Sequence, residues 1–86
     1  METFRGLKLA YEAGKAGGTM PCVLNGANEE AVAAFLAGKI SFLKIYDIIE
    51  GAVNARENYL NPDFAKLIEE DAWSRAFARE MIAKEI

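Results

Sequence analysis

The sequence predicts an all-α fold, a small antiparallel bundle of about four helices. Two observations carry that expectation. Apolar residues recur three and four positions apart, the repeat of one helix face. Capping residues, glycines and prolines punctuate the chain at helix-length intervals. Alanine also makes up much of an apolar fraction of 52%, and alanine favours helix while contributing little buried area.

The first helix is expected from about Phe4 to Lys15, with Thr3 as its N-cap and Phe4, Leu7 and Tyr11 at helical spacing. Gly17-Gly18 ends it. Gly6 and Gly14 weaken it locally and offer places for a neighbouring element to come close. A second helix begins after Thr19, tolerates Pro21 in its first turn and stops at Gly38. Met20, Leu24, Ala27, Ala31 and Phe35 make one of its faces, and its many small residues suit the centre of a bundle. Ser41 is the expected cap of a third helix, with Ile40 and Ile45 as a hydrophobic staple. Its stripe of Ile45, Ile49, Ala52 and Val53 continues to about Asn58, and Asn61-Pro62 breaks the chain. From Asp63 to Ile86 the preferred pattern is a short helical turn around Phe64–Ile68 and then a helix capped by Asp71, burying Ala72, Trp73, Ala76, Phe77 and Met81. One long helix is the alternative.

The 86 residues imply a single domain over 1–86. A chain this short buries only roughly 60–65% of its unfolded surface, so its helices must pack closely or meet a partner. The 13 acidic and 10 basic residues give a net charge of -3, against a nucleic-acid or anionic-membrane surface. The single cysteine, Cys22, allows no intrachain disulfide and points to a reducing compartment. No apolar run approaches the ~20 residues of a membrane span. Histidine is absent, which removes His-based acid–base catalysis and most transition-metal sites from this chain acting alone.

The chemical candidates are weak. Glu29-Glu30 and Glu69-Glu70-Asp71 are paired carboxylates, but a bundle di-metal site adds histidine to its glutamates. They are expected to be solvated or to complement a helix dipole. Cys22 stands near a helix start, where a thiol pKa falls, yet lacks a base, so it is expected to be a packing residue. Gly17-Gly18-Thr19 before a helix has the outline of an anion cradle. It lacks the lysine of a phosphate loop and is expected to be a plain turn.

The unusual stretch is Leu24-Asn25-Gly26-Ala27-Asn28-Glu29. Asparagine is a poor helix former, and a buried amide left without a hydrogen bond costs about 1–3 kcal/mol. Asn25 and Asn28 are therefore expected to bind backbone groups elsewhere, in a loop or another domain.

The run from Ala16 to Leu36, and above all Leu24 to Phe35, resembles the C-terminal helical domain of 1-deoxy-D-xylulose 5-phosphate reductoisomerase. The resemblance begins near Phe4, passes through Leu7-Lys8-Leu9-Ala10 and Glu12-Ala13-Gly14, and continues through Gly38-Lys39-Ile40 and Phe42 to Asp71-Ala72-Trp73-Ser74-Arg75. Departures are Gly26, where alanine is common, Cys22, where a small residue is common, and Glu30, where an apolar residue is common. Gly26 is expected to loosen the helix, and Glu30 to lie at a surface or rim.

That family converts 1-deoxy-D-xylulose 5-phosphate to 2-C-methyl-D-erythritol 4-phosphate in non-mevalonate isoprenoid biosynthesis, with NADPH and a divalent metal, Mg or Mn. Its dinucleotide-binding and catalytic domains carry the cofactor, metal and substrate motifs, none of which occurs here. The resemblance thus implies no catalytic, cofactor-binding or metal residue in this chain, and inactivity of the chain alone. It implies structural or interdomain roles for Asn25, Asn28 and Glu29, the catalytic domain of the parent enzyme as partner, and a cytoplasmic or plastid location. A free-standing module that self-associates through an exposed apolar face is the alternative.

Overall fold

The computed structural model describes residues 2–85, with side chains from Arg5 to Lys84. Four helices follow one another: α1 (Glu2–Ala16), α2 (Met20–Leu36), α3 (Phe42–Ala55) and α4 (Phe64–Glu85). No strand occurs among the described residues. The Phe4 side chain and the end of the last segment at Ile86 lie outside them.

Helices α2 and α3 form a central pair, each touching all three other helices, while α1 and α4 flank the pair without touching one another among the described residues. The order of contacts gives the directions. Cys22 meets Leu67, Gly26 meets Ser74 and Glu30 meets Arg79, so α2 and α4 run parallel. Gly51 meets Phe77 and Arg56 meets Glu70, so α3 and α4 run antiparallel. The chain therefore goes up, down, up and down. Its least extent is 18 Å, about two helix layers at 8–10 Å between axes.

The core sets small residues against large ones. Val23, Ala27, Ala31 and Ala34 of α2 are buried against Ile45, Ile48, Ile49 and Ala52 of α3, with Ala78 and Ile82 from α4. Alanines let the backbones approach, and the isoleucines fill the remaining space.

The helix ends follow local chemistry. Gly38, at φ 78°, lets Lys39 N–H reach Ala34 O and its own N–H reach Phe35 O, closing α2 as expected. Ser41 accepts from Lys44 N–H at 3.3 Å, and the staple pair Ile40 and Ile45 are both buried.

Several expectations are corrected. Helix α1 begins at Glu2, which places Thr3 inside it rather than at its cap. Leu7 and Tyr11 are 62% and 69% exposed. The face that packs carries Gly6, Leu9 and Ala13, because a Tyr46 ring lies 2.8 Å from where a Gly6 Cβ would stand. Gly14 meets nothing.

Helix α3 stops at Ala55, short of Asn58, where Arg56 turns extended at φ −119° and ψ 135°. The last segment is one helix. Asp63, not Asp71, caps it by accepting from Lys66 N–H at 2.8 Å. Its buried ridge is Glu70, Ser74, Ala78 and Ile82. Trp73, Phe77 and Met81 pack partly buried beside the core, whereas Ala72 and Ala76 are exposed. The helix has two neighbours: Ser74 comes close to Gly26 of α2, and Phe77 and Met81 come close to Gly51 of α3.

Candidate functional site

The residues singled out in the sequence converge on α2. Its buried residues, Val23, Gly26, Ala27, Ala31 and Ala34, face the core. Opposite them, Pro21, Asn25, Asn28, Val32 and Leu36 follow at steps of four, three, four and four, which keeps them on one side. Asn25 and Leu36 are exposed, and Asn28 and Val32 are half-buried. The helix therefore turns both amides outward, between its two flanks. Neither amide hydrogen-bonds another described residue.

Glu29 lies at the edge of this side and is committed within the chain. Its carboxylate meets Arg75 Nη2 at 2.6 Å. Arg75 also meets Asp71 at 2.9 Å and Glu30 at 3.3 Å, and Arg79 Nε meets Glu30 at 3.0 Å. Three carboxylates around Arg75 hold its guanidinium pKa above the ordinary value. Hydrogen bonds from Arg79 and then Arg75 hold Glu30 below the usual carboxylate range, against its partial burial. Glu30 is half-buried at a rim, and this arginine pair is why a charge is tolerated there.

The other carboxylate run holds the main surprise. Glu70 is fully buried rather than solvated. Arg56 grips it with Nε at 2.9 Å and Nη2 at 2.6 Å, and Lys66 stands 3.6 Å away. The bidentate Arg56 contact comes first among the causes that depress the Glu70 pKa. Arg56 also lies over the Trp73 ring, 4.9 Å from its centre. Glu69 meets the Lys66 ammonium at 2.9 Å, and the other carboxylates of the two runs face guanidinium groups where a divalent cation would have to sit, so this donor set does not fit a metal.

Gly26, expected to loosen its helix, also has a packing role. A Cβ there would clash with Ser74 Oγ, so glycine is what lets α4 lie this close. Cys22 is half-buried, and its thiol donates to Leu67 O at 3.4 Å. Burial, then the Asp71 and Glu70 charges, push the thiol pKa up, away from a thiolate nucleophile.

The outline of an anion cradle at Gly17-Gly18-Thr19 is filled from within. Asn58 Oδ1 accepts from Thr19 N–H at 2.9 Å and Met20 N–H at 3.2 Å. Thr19 N–H also reaches Tyr59 O at 3.1 Å, and Tyr59 N–H donates to the buried Thr19 hydroxyl at 3.0 Å. A Cβ at Gly18, whose φ is 58°, would sit 2.5 Å from Tyr59 O. The N-terminus of α2 is thus capped by a residue 39 positions away. Sequence gave no warning of that partner, nor of Arg56 for Glu70. Arg75 was detectable as the i+4 partner of Asp71.

Comparison with known proteins places the chain in a family. A family model described as the DXP reductoisomerase C-terminal domain matches residues 1–77. The chain is similar to the 1-deoxy-D-xylulose 5-phosphate reductoisomerase of Exiguobacterium sibiricum, 52% identical over 75 residues, covering 87% of this chain and 20% of the relative. That of Geobacillus sp. strain WCH70 is 52% identical over 81 residues, covering 94% and 21%. That of Listeria monocytogenes is 47% identical over 81 residues, covering 94% and 21%. The chain spans about a fifth of the length of these relatives. It belongs to the family of DXP reductoisomerase C-terminal domains.

Proposed function

We propose that this domain serves as a scaffold within a reductoisomerase that converts 1-deoxy-D-xylulose 5-phosphate to 2-C-methyl-D-erythritol 4-phosphate, using NADPH and a divalent metal. It supplies no reacting group. It holds its shape by internal ion pairs and packs against the catalytic part of the enzyme, with Asn25 and Asn28 as interdomain residues and Glu29 fixing the edge of α2 beside them. The observation that carries this is the family match over residues 1–77, taken with carboxylates that are engaged by arginines.

The test is turnover. Purified 86-residue protein, given the sugar phosphate, NADPH and Mg, is expected to oxidise no NADPH. The Geobacillus enzyme with its matching C-terminal segment replaced by this chain is expected to be active. Turnover by the chain alone overturns the scaffold role. An inactive but folded chimera argues against the domain's place in this enzyme.

A further inference from the structure

The molecule has two broad sides, the outer side of α2 and the outer side of α3, and they differ in charge. On α3, Leu43, Asp47, Glu50 and Asn54 follow at steps of four, three and four and are all exposed. Two of the four are carboxylates, and Arg5 holds both, at 2.8 Å from Asp47 and 3.1 Å from Glu50. The corresponding strip on α2, Pro21, Asn25, Asn28, Val32 and Leu36, contains no charge.

We propose that this uncharged strip of α2 is the surface by which the domain docks onto the catalytic part of a reductoisomerase. The proposal rests on the scaffold reading above and adds the face to it. Charged residues are depleted from the cores of protein interfaces because stripping water from a charge costs far more than stripping it from an amide or a methyl group. By that measure the α2 strip can be covered, and the Asp47–Glu50 strip resists it. Apolar surface continues on α4. Arg75 reaches Glu29, which fixes the side of α4 that borders the α2 strip. Ile68 lies two turns before Arg75 on that side, with Phe64 one turn further, and they are 55% and 76% exposed. Leu36, at the other end of the strip, is 77% exposed. Phe64 and Ile68 at one end and Leu36 at the other thus form an apolar array along the uncharged strip. The two outward amides give the array specificity, since each needs a hydrogen-bonding partner once it is covered.

The occupant is the remainder of the enzyme. Relatives of this chain extend over about four and a half times its length, so a partner several times larger than the domain is at hand. Its contacting surface is expected to be apolar, with backbone or side-chain groups set to pair with Asn25 and Asn28.

Hydroxyl-radical footprinting tests the face directly. The 86-residue chain is compared with the same residues inside the Geobacillus chimera. Leu36, Phe64 and Ile68 are expected to lose reactivity about ten-fold in the chimera, while Leu43 on α3 keeps its own. Asn25→Lys with Leu36→Glu, both at exposed positions, is expected to leave the melting of the isolated chain unchanged and to abolish that protection. Asn54→Lys on α3 is expected to leave both the melting and the protection unchanged. Protection of Leu43 with Leu36 still reactive overturns the face but leaves the scaffold reading intact. No protection on any side overturns both. A chimera that aggregates although the isolated chain melts cooperatively counts against the proposal. So does an isolated chain that sediments as a dimer with Leu36 protected, because a second copy then occupies the strip.

Discussion

Helices α4 and α1 both flank the central pair, yet they are held by different means. On α4, Gly26 admits the Ser74 side chain to the α2 backbone, Arg56 clamps a buried Glu70, and Arg75 and Arg79 bind Glu29 and Glu30. On α1, the described contacts include one buried alanine, Ala13, a half-buried Leu9, Gly6 against the Tyr46 ring, the Asn58 amide on Ala16 O and the Arg5 ion pairs. A cleft of about 270 Å³, lined by Leu9, Ala13, Met20 and Val53 among others, lies between α1 and the pair. Local stability follows buried contacts and protected hydrogen bonds. On that principle α4 is expected to unfold with the core, and α1 to open first.

Removing the clamp should break the comparison most severely. Arg56→Ala strands a buried carboxylate, with only Lys66 nearby, and is expected to cost about 3 kcal/mol in chemical denaturation. Acid reaches the same pair and Glu30 as well. Both carboxyls are held below their ordinary values in the folded state. The stability they contribute is therefore present above the unfolded glutamate pKa of about 4.3 and is lost as pH falls through the lower folded values. Denaturation midpoints measured across that window should fall toward acid, and should fall less in Glu70→Gln.

Gly26→Ala comes next. Overpacking against Ser74 outweighs the roughly 1 kcal/mol that alanine adds to a helix interior, for an expected net loss of about 1–2 kcal/mol. Ser74→Ala in the same chain removes the clashing oxygen and should restore most of it, which a double-mutant cycle measures. Asn58→Ala removes the acceptor of Thr19 and Met20 N–H and is expected to cost about 1 kcal/mol. Because Asn58 Nδ2 also donates to Ala16 O, amide exchange should rise first at the end of α1.

The smallest effect sharpens the contrast. Arg5→Ala removes exposed ion pairs, which are worth little. It should leave the global melt unchanged while amide exchange in α1 speeds up and that in α4 does not. Equal acceleration in both helices would show that the flanks open together.

Much of the architecture was legible in local residues. Ser41, Gly38 and Pro21 mark helix ends by chemistry that acts within a few positions, and α2 was recognisable as the central helix by its small residues. Errors came where one residue has two uses. Asp71 could cap a helix or pair with Arg75, and Asp63 took the capping role instead. The Leu7 and Tyr11 spacing is that of a buried face, but Gly6 brought α1 in on another side. Asn25 and Asn28 stand out as poor helix formers in a largely apolar run, and their direction could not be read without knowing which side of α2 the other helices take.

By itself the sequence determined that this protein is helical, roughly where each helix starts and stops, and that its family is that of the reductoisomerase C-terminal domain. Those properties rest on propensities, caps and a residue run, all local along the chain. Only the tertiary structure decided that Glu70 is buried, that Asn58 caps α2, and that the two asparagines face outward on an uncharged strip. Each of these depends on groups tens of residues apart, and their proximity is set by how four helices share one small core.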